Sequence, residues 1–460
     1  MTVVAAAFDA WCVEVSIQTP YIRLVGEAPP STDRADAAAA AAAAASAAGT
    51  APPPSGRTAI ASVSLRPGDT IVAVPDAAVL TVEASRAGPA LQAAGLGNAA
   101  GRAWREGVGL ALALQSEAAA GPASAWAPYV AWLAASLPGL RATHPALWPA
   151  TQRRRLLAGT AVGALLGRRG GRLTRHAPAG VAAAAALAAA FTSRHPALFT
   201  PAAPRTRMTF AEAYALVGAY SFTLGGDAIA ALVPVWDALD HDGGVWDGGP
   251  GVALSHDPAA GRLTMTATRP VPPGGVVYNC YGDDLGPAEC VRRYGWAPPP
   301  AAAPGERLEV RPGELGAAAL AACCRSPSRR RPGVLKLAAL AAASVGAGRR
   351  LCVDGETGEP SPGLVAAAAA AAGAVGGGGS RKAPAGALRV LAAVAAARSA
   401  ALTRGGARAA EEGCSGATPP GRRALAGAVR AAEAGAARAL GRWVRRAAAQ
   451  GCGGSRHHAH

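Results

Sequence analysis

Two β-patterned blocks stand on either side of a long helical stretch, and that order constrains the fold more than any other feature of the chain. Ahead of the stretch, Ala59-Ile60-Ala61-Ser62-Val63 leads through Leu65-Arg66-Pro67-Gly68-Asp69, where the Pro-Gly pair reverses the chain, into Thr70-Ile71-Val72-Ala73-Val74-Pro75. A strand-like piece at 21–25 precedes this meander. From about residue 100 to about residue 200 the apolar spacing is helical, beginning with Trp104, Val108 and Leu112. Helical spacing returns at Phe210, Tyr214, Val217 and Phe222, opened by Thr209 as N-cap. A second β-rich block comes next. It holds 232–241, a strand at 262–267, the turn Pro272-Pro273-Gly274-Gly275, a strand at 276–281 and the close Arg293-Tyr294-Gly295-Trp296.

Hydrophobic residues make up 51% of the 460, but alanine supplies much of that share and aromatics only 5%, so burial per residue is expected to be modest. The net charge of +16 is uneven: residues 301–460 carry 23 basic and 9 acidic residues, a net of +14, which leaves +2 for the rest. An arginine-rich region attracts acidic partners without implying base readout, and solvated helix faces are preferred here over nucleic-acid binding. The eight cysteines are scattered, with no C-x-x-C pair and no histidine at zinc spacing, so a metal site is not expected. No basic leader precedes Phe8 and Trp11, and no run of eighteen strongly apolar residues stands out, so neither secretion nor a membrane span is expected. An alanine run at 37–45, between prolines, reads as an insertion in a loop. Beyond Pro298 the pattern is alanine-rich and helical, ending in an arginine-rich helix around 425–446.

Four motifs in this order resemble the SET-domain protein methyltransferases, in the branch that includes the Rubisco large-subunit lysine methyltransferase and the actin histidine methyltransferase. They are Arg66-Pro67-Gly68-Asp69 leading to Val74-Pro75; Ser124-x-Trp126-x-Pro128-Tyr129 with Leu137-Pro138; Leu232-Val233-Pro234-x-x-Asp237-x-x-Asp240-His241; and Tyr281-Gly282 followed by Tyr294-Gly295. The fold this implies is α+β: a SET-domain β fold with a helical insert, followed by an all-helical C-terminal domain. Its parts are then 1–80, carrying the alanine insertion near 36–50, the insert 81–205, the second SET part 206–300, and an arginine-rich, substrate-binding-like domain 301–460. The resemblance also implies S-adenosyl-L-methionine as methyl donor and a side-chain nitrogen of a protein as acceptor.

Methyl transfer to nitrogen is an in-line displacement that needs a neutral nucleophile, alignment and exclusion of water rather than a charged acid. Tyr281 matches the catalytic tyrosine, whose hydroxyl orients an amine without adding charge. Tyr294 matches the second pocket tyrosine, and Trp236 lies where the acceptor is contacted. At the cofactor, the resemblance places Asp240 and His241, Tyr220 and Gly56. Four departures stand out. Asp240 replaces an asparagine, giving up the amide donor. Ala219-Tyr220 replaces a Ser-Arg whose guanidinium grips the cofactor carboxylate. Gly286-Pro287 replaces Ser-Asn. Gly56-Arg57-Thr58-Ala59 lacks the second glycine of a cofactor loop.

The reading is a protein-lysine N-methyltransferase acting on a non-histone, acidic protein, in the cytoplasm or chloroplast. A histidine acceptor is the alternative enzyme, suggested by Val235-Trp236-Asp237. An inactive SET-fold scaffold that binds protein or nucleic acid is the alternative from another class.

Overall fold

Gly68 takes φ 96° at the turn between the first strands, where a side chain would be strained, and the Arg66 N–H donates to the Asp69 carboxylate at 2.7 Å. That turn belongs to a computed structural model describing residues 3–25, 57–97, 103–167, 181–224, 229–241, 251–282, 285–297, 306–323, 332–345, 351–376, 383–413 and 420–453. Gly56 and the alanine insertion lie outside the described residues. The chain divides into two units. The first holds 1–149, 165–283 and 290–303; the second holds 150–164, 284–289 and 304–460.

In the first unit, β1 (Ile22–Val25) pairs antiparallel with β2 (Thr58–Ala61). β3 (Thr70–Pro75) pairs with β9 (Arg262–Ala267), which also pairs with β8 (Val252–Asp257), so the two β-patterned blocks meet in one three-stranded sheet. Another three-stranded sheet has the order β4 (Leu80–Thr81), β6 (Ile229–Leu232), β5 (Ser221–Leu224). β7 (Asp240–His241) and β10 (Tyr278–Asn279) form a parallel pair with Tyr278 opposite Asp240 and Asn279 opposite His241.

The core of this unit is aromatic at one end and aliphatic in the middle. Phe8 stacks on Trp132 at 4.8 Å and Trp11 on Tyr129 at 6.1 Å, joining the helix Val3–Glu14 to the helix Ala127–Ala134. The polar edges of two indoles are also used: Trp11 Nε1 donates to the Ala125 carbonyl and Trp126 Nε1 to the Ala78 carbonyl, both at 3.0 Å. In the helix Ala103–Ala120, Val108, Leu110, Leu112 and Leu114 are all buried, so this helix is enclosed on more than one face. Thr209 caps the helix Phe210–Tyr220 as expected, in a reciprocal box: its N–H donates to Glu212 at 2.8 Å and its hydroxyl accepts the Glu212 N–H at 3.3 Å.

The second unit has a core of alanines interleaved with leucines and valines, with no fully buried aromatic among the described residues of that core. Its helices Pro312–Cys323, Pro332–Val345, Pro362–Gly376 and Pro420–Gly453 each open on proline, whose fixed φ suits the first helical position. With Ala383–Gly413 they enclose Leu315, Ala318, Ala319, Ala338, Ala342, Ala367, Ala368 and Ala371. Alanine lets helix backbones approach: a Cβ on Gly316 would stand 2.9 Å from the Ala339 nitrogen. The unit is not wholly helical, because β11 (Leu308–Glu309) pairs with β12 (Cys352–Val353). Nor does it begin at 301. Buried Glu433 accepts the N–H groups of Ala161 at 2.7 Å and Val162 at 3.3 Å, and Arg430 donates to the Leu156 and Ala158 carbonyls, which draws 150–164 out of the expected insert and into this unit. Ala385–Ala409 is long and apolar enough to cross a membrane by length and composition; Val390, Leu391, Val394 and Leu402 on it are buried, as in a core helix.

Phe8 is fully enclosed, so Phe8→Ala is expected to cost about 3–5 kcal/mol in urea unfolding followed by tryptophan fluorescence. A loss below about 1 kcal/mol would show that the aromatic stack does not hold the first unit together.

Candidate active site

The parallel pair β7–β10 is the frame of the site, because it delivers two distant chain segments side by side. Tyr281, just past β10, is fixed twice: its N–H donates to His241 Nδ1 at 3.1 Å, and its hydroxyl donates to the Leu239 carbonyl at 2.6 Å. Since Nδ1 accepts, the neutral imidazole carries its proton on Nε2. The phenol ring stacks on His241 at 5.1 Å and meets the Tyr294 ring at 4.9 Å and 45°. Trp296 closes against His241 at 5.7 Å. Four rings therefore stand together, and three of them, Tyr281, Tyr294 and His241, are residues the sequence pointed to.

Burial, helped by the nearby Asp240, holds the Tyr281 hydroxyl well above the ordinary phenol range, so it stays neutral. With its proton given to Leu239, the oxygen keeps lone pairs with which to accept a hydrogen bond. Asp240 is buried, and that burial, opposed in part by the charge of Arg57, pushes its carboxyl up to about 7. A protonated carboxyl donates as well as accepts. Part of the donor capacity lost with asparagine is thereby recovered at neutral pH.

Behind these rings lies a charged cluster. Val235 sits at φ 71°, ψ −43°, strained for a β-branched residue, and introduces the single turn Trp236–Ala238 that carries Asp237 inward. Asp237 receives Arg57 Nη1 at 3.5 Å and the Tyr129 hydroxyl at 3.4 Å; burial pushes its carboxyl up to about 6 against the pull of Arg57. The Arg57 guanidinium lies over the Tyr220 ring at 4.5 Å and the Trp132 ring at 5.3 Å. Tyr220 thus stands at the site, beneath a cation. Trp236 does not join the acceptor rings: it is 2% exposed and packs edge-on against Phe222 at 5.5 Å, a core position that corrects its expected contact with an acceptor. Arg57 and Trp296 were not singled out from sequence. The signal for Arg57 was a charge at the mouth of an otherwise apolar strand, and for Trp296 its place two residues beyond Tyr294.

This arrangement of sheets, insert and helical unit is the SET-domain fold. The SET domain of LSMT bound to lysine and AdoHcy superposes with a TM-score of 0.61 over 97% of this chain and 92% of that one, at 14% identity. Rubisco LSMT bound to AdoMet gives 0.59 over the same shares at 13% identity. Among curated proteins, the chain is similar to the N-lysine methyltransferase SETD6 of Bos taurus, 30% identical over 255 residues, covering 53% of this chain and 51% of that protein. SETD6 of Homo sapiens is 28% identical over 309 residues, covering 64% and 59%. The chain spans about half the length of the curated relatives it matches. No family model matches it.

The folded pKa of Asp240, about 7, lies above its unfolded value of 3.8, so its contribution favours the fold at low pH and is lost as pH rises toward 7. Between pH 5 and pH 8, Asp240→Asn is expected to lose about 2 kcal/mol less stability than the unaltered chain in guanidinium titrations. Equal pH slopes for the two proteins would place the charge of Asp240 in water.

Proposed function

We propose that this protein is an S-adenosylmethionine-dependent protein-lysine N-methyltransferase. The observation that carries the reading is the double anchoring of Tyr281, against His241 and onto the Leu239 carbonyl, inside a cluster of aromatic rings. The similarity to N-lysine methyltransferases and to a fold solved with AdoMet supports it.

The residues present fit the cofactor. The buried Asp240 and the His241 ring lie beside Tyr281, and a buried guanidinium is at hand for an anionic end. When bound, S-adenosylmethionine supplies an electrophilic methyl group on a sulfonium. Everything else falls to the chain. The neutral Tyr281 oxygen accepts an N–H from the incoming amine and so turns the nitrogen lone pair toward the methyl donor. Tyr294 encloses the alkyl chain with its ring face, and the packed rings keep water out. No group here needs to take the amine's proton; the lysine enters neutral after losing its proton to solvent. The acceptor is a protein side chain, and the +14 carried by residues 301–460 favours an acidic substrate by steering encounter.

Purified protein incubated with labelled S-adenosylmethionine and cell lysate is expected to label lysine Nε, mapped by mass spectrometry. Tyr281→Phe, which keeps the ring, should lower kcat by about a hundredfold or more and leave cofactor Kd within about threefold. Label on histidine would transfer the reading to the imidazole acceptor. Absence of S-adenosylmethionine binding in calorimetry would leave a folded scaffold without turnover.

A further inference from the structure

Arg57 is 4% exposed, yet the chemistry of methyl transfer leaves its charge unused. Its guanidinium is held by two aromatic faces, Tyr220 at 4.5 Å and Trp132 at 5.3 Å, and by Asp237 at 3.5 Å. Tyr220 also bears on it through a side-chain hydrogen bond, and a planar guanidinium fork is the geometry that suits a carboxylate. The ring beneath it, Tyr220, is the residue that stands where the sequence resemblance expects an arginine. A guanidinium from the strand entering β2 has therefore come to lie over the position at which the helix Phe210–Tyr220 offers none.

We infer that Arg57 receives the carboxylate at the amino-acid end of the bound cofactor, taking over from another strand a charge that position 220 lacks. The inference rests on S-adenosylmethionine being the methyl donor. Three observations carry it. A carboxylate brought out of water into an enclosed pocket needs charge-assisted donors, and Arg57 is a buried cation whose charge is felt at both Asp240 and Tyr281. Asp237 accepts from Arg57 Nη1 at 3.5 Å, the long end of a hydrogen bond, so this contact within the chain is a weak one. Finally, the guanidinium lies over Tyr220, the residue at the position to which the sequence resemblance assigns the arginine that grips the cofactor carboxylate. Arg57 acts on the ligand directly, and Tyr220 and Trp132 serve as positioning residues that hold its plane.

The test uses two ligands that differ at the amino-acid end: S-adenosylhomocysteine, which has the carboxylate, and 5′-methylthioadenosine, which does not. Calorimetry on the full chain should show Arg57→Gln weakening S-adenosylhomocysteine about ten- to a hundredfold while 5′-methylthioadenosine stays within about threefold. Arg57→Lys keeps the charge opposite Asp237 and preserves folding, and it should show the same selective loss to a smaller degree, because the planar fork is gone. Circular dichroism melting of each variant confirms that a folded protein is being titrated. Equal loss of both ligands in the folded Arg57→Lys protein, or no loss of either, overturns the role of Arg57 and leaves the methyltransferase reading in place. Failure of the unaltered chain to bind S-adenosylhomocysteine overturns both.

Discussion

The site depends on one short parallel pairing, Tyr278 beside Asp240 and Asn279 beside His241. Parallel strands cannot be joined by a tight turn, so the chain must travel through β8 and β9 before it returns, and a pair of two-residue strands is weak on its own. The residue two positions beyond β10 secures it. Tyr281 bonds through its amide to the His241 ring and through its hydroxyl to Leu239, and with the strand pairing these contacts lock the returning segment onto the outgoing one. The same contacts that close the fold also orient the phenol. Structure and chemistry here are one set of hydrogen bonds.

The charged cluster behind the rings obeys a related logic. A buried arginine and a buried aspartate are costly unless well paired, and their separation of 3.5 Å is at the long end of a hydrogen bond. Two aromatic faces and the Tyr129 hydroxyl share the task of holding them. The strained backbone at Val235 belongs to the same arrangement, since it turns the chain so that Asp237 points inward. Such strain persists because the fully buried Leu239, Val233 and Trp236 around it leave no room to relax.

Much of this was legible in the sequence because it is local. The strands at 70–75 and 262–267, the Thr209 cap and the tyrosines at 281 and 294 each declare themselves through a few neighbouring residues, while the pairing of those two strands does not. What escaped is long-range. Nothing near residue 160 announces that Glu433 will satisfy its amides, and so the assignment of 150–164 to the second unit is invisible until the chain is folded. Arg57 likewise reads as a loop charge until Tyr220 and Asp237 are brought to it. Trp236 misled in the opposite sense: a motif neighbour suggested an acceptor contact, while its large apolar surface took it into the core beside Phe222.

The alanine interior of the second unit has a consequence for how this protein tolerates change. Each buried alanine methyl contributes little, so cohesion there rests on leucines and valines such as Leu315, Val390, Leu391 and Leu440, spread along helices up to 31 and 34 residues long. Losing one such methyl is a small matter, but adding even a single carbon where backbones nearly touch, as at Gly316 against Ala339, has nowhere to go. The unit is thus forgiving of erosion and intolerant of growth, the reverse of the bulky, ring-filled interior around Phe8.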